Sequence, residues 1–164
     1  MTTTATPSYG TATALTITLA SLATSAGLTV GRQSTVADNT SDLGIDAIVQ
    51  AQITVGTTPT ANTWIELWAF GTADGTVYGG AAGASDAGLT PTDKSTMRLL
   101  EVIPVPVTTS NVAYISGSHS IQNAFGGTMP RKWGVFVTHN TGVNLNATGG
   151  NHTVKYTAVK YASA

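Results

Sequence analysis

Three aspartates stand at a spacing of four in "RQSTVADNTSDLGID", residues 32–46: Asp38, Asp42 and Asp46. They are three of only eight acidic residues. Calcium loops of the EF-hand type need oxygen ligands at alternating positions, a central glycine and a closing glutamate. Here Gly44 is displaced and no glutamate closes the loop. Asp38, Asn39, Thr40 and Ser41 are instead residues whose side chains bond nearby backbone, so the stretch reads as a capped turn. Arg32 is the expected partner of Asp38 or Asp42 across it.

Carboxylate pairs are the second chemistry to test. Glycoside hydrolysis needs two carboxyls facing each other across a cleft. Glu66 and Glu101 are the only glutamates. Glu66 lies between Trp64 and Trp68 on one face of a strand, as in a sugar platform or as a cross-strand ion pair beside packing tryptophans. The histidines, His119, His139 and His152, lack the spacing of a local metal motif and read as solvated loop residues. No G-x-S-x-G elbow occurs, and "GGAAGAS" lacks the ending of a phosphate-binding loop. Among the aromatics, Tyr78 on a Gly-rich stretch is the best candidate for a flat exposed ring. The expectation is a chain that is not an enzyme and uses no cofactor and no metal.

The elements that carry these residues have a period of two. "ALTITLA" (14–20) alternates Leu15, Ile17 and Leu19 with Thr16 and Thr18. "GLTVGRQSTV" (27–36) is a weaker candidate. "GIDAIVQAQITV" (44–55) and "TWIELWAF" (63–70) read as a hairpin of long strands with residues 56–62 as its loop. "STMRLLEVIPVPV" (95–107), "NVAYISG" (111–117), "RKWGVFVTHN" (131–140) and "HTVKYTAVKYA" (152–162) follow, with a short "VNL" (143–145). Pro104 and Pro106 put two missing N–H groups on one side of their strand, which places it at a sheet edge. Residues 71–92 form a long Gly- and Ala-rich loop, of the kind that is functional or ordered by a partner. No helix of useful length is expected.

These elements predict a single-domain, all-β antiparallel sandwich, jelly-roll-like, over residues 13–164, preceded by an extended N-terminal arm, residues 1–12. At 164 residues the chain can bury a core without staples, and it has no cysteine. Charged residues are 9% against a usual value of about 25%, and 30 residues are threonine. A weakly charged, Thr-rich surface suits a chain covered by neighbours. A net charge of −1 gives no footprint for nucleic acid, and the apolar runs fall well short of the ~20 residues of a membrane helix.

The run "GRQSTVADNTS", the long strand from "DAIV" and "GTTPTANTWIELWAFG" resemble small virion proteins of tailed bacteriophages. The likeness covers roughly residues 15–71 and is looser in the "W-G-V-F-V" and "V-K-Y" strands. It implies a capsid decoration, or cement, protein: a structural part on the capsid exterior of the virion, made in the host bacterial cytoplasm. The implied partners are the major capsid protein and the chain itself, as a homo-oligomer, in particular a homotrimer. No catalytic residue comes with that family. The candidate capsid or subunit contacts are Thr4, Pro7 and Tyr9 in the arm, Tyr78 in the loop, Pro104 and Pro106 at the edge, and the basic pair Arg131 and Lys132. The alternative is a glycan-binding tail or head-fibre module.

Overall fold

The structure, a computed structural model, describes residues 5–163. It is a sandwich of two antiparallel sheets. In chain order the strands are β1 (Ala5–Tyr9), β2 (Thr13–Ala14), β3 (Gly31–Gln33), β4 (Ala37–Asp38), β5 (Asp46–Thr54), β6 (Thr63–Thr72), β7 (Ala87–Leu89), β8 (Arg98–Val105), β9 (Ala113–Ile115), β10 (His119–Ser120), β11 (Lys132–His139) and β12 (Thr153–Ser163). Helix is confined to the four-residue turns α1 (Asn39–Asp42) and α2 (Ile121–Ala124) and two 3-10 turns. The first sheet has the order β1-β12-β5-β10, with β2 also on β12 and β9 also on β5. The second has the order β7-β3-β11-β6-β8, with β4 also on β11.

Three of these neighbours in sequence are one interrupted strand each: β1 with β2, β3 with β4, and β9 with β10. Counted so, and without the short β7, the first sheet holds the first, eighth, third and sixth strands. The second holds the second, seventh, fourth and fifth. Strands β5 and β6 therefore do not form the expected hairpin. Each is long and apolar on one face, but those faces oppose each other across the core, so the 56–62 connection crosses between sheets. The true hairpin is β6 with β8.

The core lies between the sheets. Val49, Ala51 and Ile53 of β5 and Val154, Tyr156 and Ala158 of β12 meet Ile65 and Leu67 of β6 and Trp133, Val135 and Val137 of β11. Trp133 and Tyr156 pack edge to face at 5.2 Å, one from each sheet. Such a pair contributes about 1 kcal/mol beyond its buried area. Residues 14–20 alternate as predicted, with Leu15 and Leu19 buried. Beyond Ala14, however, they form no ladder. Leu15 N–H donates to Val154 in one sheet and Thr16 N–H to the Thr35 hydroxyl beside the other. The segment is a crossover that keeps the period of a strand.

Residues 5–9 are not a free arm. They pair with β12 from Ala5 opposite Ser163 to Tyr9 opposite Val159. Strand β5 pairs with β12 only up to Asp46 opposite Val159. Beyond that point β1 and the end of β12 form a two-stranded ribbon that runs past the sheet. Every residue from 5 to 14 is exposed.

Candidate docking surface

Even-numbered residues of β6 face outward from the second sheet. They grade from bare to buried: Trp64 is exposed, Glu66 and Trp68 are half-buried, and Phe70 is fully buried. The cause is the 73–97 connection, which folds back over one half of this face. Its Leu89 and Met97, with Tyr78 and Ala81, close over Phe70 and Phe136 as a second, smaller core. One side chain, Gln33, adds three bonds to the β3–β7 ladder and the Lys94–Glu66 pair that tie the loop down. Gln33 is 1% exposed. Its amide donates to the Gly83 and Ser85 carbonyls at 3.0 and 2.7 Å and accepts from Ala82 N–H at 2.8 Å. The long loop is thus ordered by its own sheet.

The other half of the face stays open and is apolar. Register places Pro104 opposite Trp64, Val102 opposite Glu66 and Leu99 opposite Trp68. Trp64, Val102 and Leu99 are 41%, 45% and 47% exposed, and Pro104 is exposed beside them. Leu100 lies between the pairs of Leu67 and Trp68 without a partner of its own. That bulge returns Leu99 to the outer face while Leu100 packs toward the core. The patch lies at the free edge of the sheet, since β8 is its last strand. Pro104 is therefore an edge proline, as its missing N–H demanded, and Pro106 lies just beyond the strand. Contiguous exposed apolar residues at an edge are unusual in a chain that stands alone.

One ion pair borders the patch. Lys94, from the covering loop, binds the Glu66 carboxylate and lies 4.4 Å from the centroid of the Trp68 ring. Trp68 Nε1–H donates to the same Glu66 oxygen. Glu101 faces the other way. It accepts from Gly117 N–H and meets His119 Nε2 at 2.7 Å, linking the free edges of the two sheets. The two glutamates thus belong to different faces of the second sheet and share no cleft.

The aspartates likewise separate. Asp38 caps α1 by accepting from Thr40 N–H and hydroxyl and lies 3.4 Å from Lys132. The Thr40 bonds, and then Lys132, hold its carboxyl below the usual range. Asp42 accepts from the Tyr156 hydroxyl at 2.9 Å. Burial, and then that carboxylate, push the Tyr156 phenol up to about 12. Asp46 accepts from Gln122 N–H. Arg32 pairs with neither Asp38 nor Asp42. Its Nε lies 2.6 Å from Asp86, which Thr18 also caps. Burial raises the Asp86 carboxyl, but the Arg32 and Thr18 bonds outweigh it and leave it below its ordinary value. Among the described residues no three His, Asp or Glu side chains are grouped as a metal site.

Two histidines expected in solvent are buried. His139 is fully enclosed, with Nδ1 2.9 Å from the Thr141 hydroxyl and Nε2 3.1 Å from the Leu22 carbonyl. Its strand β11 lies between β3 and β6, which the turn signals after it did not reveal. Burial lowers its pKa. His152 accepts from Thr54 N–H at Nδ1 and donates from Nε2 to the Asn146 carbonyl.

The remaining predicted contacts divide between two places. Pro7 and Tyr9 lie on the terminal ribbon, where Pro7 pairs with Tyr161. Tyr9 and Tyr161 are both exposed. Lys132 opens β11 opposite Thr72 at the same end of the sandwich, and Arg131 just before it donates its N–H to the Thr72 carbonyl. Thr4 lies outside the described residues. Tyr78 is not a flat exposed ring: it is half-buried, edge-on to Phe70 at 6.0 Å. Leu99, Val102 and Trp64 were not singled out as contacts. The two-residue spacing of Val102 and Pro104 marks a shared face, but only the register brings Trp64 beside them.

No family model, curated protein or solved structure matches this chain.

Proposed function

We propose that this chain is a non-enzymatic structural protein that docks on a larger assembly, and specifically that it decorates and stabilises a bacteriophage capsid. The observation that carries the docking is the half-covered outer face of the second sheet. One half is closed by the chain's own loop, and the other presents Trp64, Leu99, Val102 and Pro104 to solvent. The low charge and the exposed terminal ribbon point the same way. The capsid as the partner rests on the sequence resemblance. The strand order supports reading the sandwich as a jelly roll, with connections passing from sheet to sheet except at the β6–β8 hairpin.

The mechanism is mechanical. Each copy buries apolar surface on neighbouring capsid subunits and stabilises the shell by mass action. Trp64 is the expected anchor, since central aromatic residues carry most interface energy, at least ~2 kcal/mol each. Trp64→Ala should weaken attachment to undecorated heads about thirtyfold, with the sandwich still folded. Val102→Glu should do the same. Full occupancy on heads by both variants would rule this surface out as the contact. Deleting residues 2–10 removes no buried side chain among the described residues, so that variant should fold and report separately on the ribbon.

A second reading has an observation of its own. Trp64 is a part-exposed indole on a residue whose backbone N–H donates to Asn140 Oδ1 at 2.8 Å. That arrangement also suits the face of a sugar ring, as in a glycan-binding tail or head-fibre module. Glycan-array binding lost in Trp64→Ala, without head binding in the parent protein, would favour it.

A further inference from the structure

Leu43 is 74% exposed. It closes α1 in the left-handed conformation, at φ 50°. That position ordinarily goes to glycine or asparagine, because a Cβ there is strained. A large apolar side chain in this place gains nothing from its own fold. It projects from the end of the sandwich that also holds the terminal ribbon.

The same end carries a groove of roughly 400 Å³, lined by Gly71, Phe125, Met129, Pro130 and Arg131 among others. Its walls are mainly apolar. Among the described residues the Arg131 guanidinium at its rim has no carboxylate within ion-pair distance. Next to Leu43 stands Asp42, one of whose oxygens accepts from Tyr156 while the other has no bond among the described residues. One part of the chain thus offers an apolar knob beside a carboxylate, and another offers an apolar hole beside an unpaired cation.

We propose that Leu43 of one copy seats in the Phe125–Met129–Pro130 groove of a second copy, with Asp42 meeting Arg131 across the contact. Knob and hole are neighbours at one end of the sandwich, where Asn39 N–H donates to the Arg131 carbonyl, so a two-fold axis lets each copy's Leu43 enter the other's groove. This names the self-contact that the reading above leaves open, yet the two fail separately. Loss of head binding with self-association intact sinks the decoration and leaves this contact standing.

The test is sedimentation velocity on the full chain from micromolar to millimolar concentration. The parent protein should associate. Leu43→Gly should shift it to monomer by at least tenfold in dissociation constant, and should unfold at an equal or higher temperature, since glycine suits φ 50°. Arg131→Glu and Asp42→Arg should each be monomeric alone, and mixing the two should restore association through the swapped charges. A parent protein that stays monomeric at millimolar concentration overturns the proposal. So does a Leu43→Gly variant that associates like the parent. If the parent is monomeric and Leu43→Gly loses binding to heads, the occupant is another protein and the self-contact is refuted.

Discussion

Gln33 is the most exacting test of how the open and closed halves of the outer face arise. Its buried amide makes three bonds, to the Gly83 and Ser85 carbonyls and from Ala82 N–H. Gln33→Met keeps the length and apolar stem but removes all three. Each such bond contributes about 1 kcal/mol net, and a loop group left buried without a partner costs somewhat more. The sum is about 3 kcal/mol, or ~6–12 °C in midpoint for a domain of this size. Part of that loss should be local. The 81–85 segment can lift off and rebond to water, at the cost of uncovering the Ala81 side of the Phe70–Phe136 cluster. Urea unfolding measures the global loss, and hydrogen exchange at Ala82 N–H measures the local one. The expected result is a fall of about 2–4 kcal/mol together with early exchange of that amide. A change below ~0.5 kcal/mol with the amide still protected would refute the claim that the Gln33 amide anchors residues 82–85 of the loop.

Gly31→Ala should prevent folding or cost more than ~3 kcal/mol, because its Cβ would lie 2.1 Å from the Val137 carbonyl, whereas Gly88→Ala, across β7 with open space around it, should stay within ~0.5 kcal/mol; paired thermal melts compare them. His139 is held neutral by burial, with a folded pKa below its ordinary 6.5. The unfolded chain therefore takes up the proton first, so its contribution is complete above pH 6.5 and falls as pH drops below it; urea midpoints from pH 7.5 to 5 should show that slope, and His139→Gln should flatten it. Among the described residues the buried Tyr114 hydroxyl has no partner, so Tyr114→Phe should be neutral or stabilising by up to ~1 kcal/mol in the same assay.

The strands were legible where one face had to be buried. In β5, β6, β11 and β12 the alternation of apolar and polar residues fixed both the element and its inward face, and the edge position of β8 followed from Pro104. Pairing was not legible. Two long apolar strands joined by a turn-rich connection look alike whether they share a sheet or oppose each other across the core, and β5 and β6 lie in different sheets. The aspartate turn was readable, because Asp38 to Ser41 bond locally. The partner of Arg32 was not, since Asp86 lies 54 positions away and only the β3–β7 pairing brings it near. Burial of His139 and His152 depended on loops closing one end of the sandwich, which no local signal records. The open patch needed the register of β6 on β8 and the reach of the covering loop, both properties of the folded chain.

The terminal ribbon sets a route for engineering. Ala5 and Ser163 are cross-strand neighbours, so their Cα atoms are about 5 Å apart. A few-residue linker could splice these two points and turn the chain into a loop. New ends could then be cut at Gly126–Gly127, a surface turn where a Cβ would meet nothing within 4 Å. Any cargo fused before Ala5 or after Ser163 leaves from one spot at one end of the molecule. A cargo fused at the permuted ends would leave beside the α2 turn instead, which allows the two exits to be compared on the same sandwich.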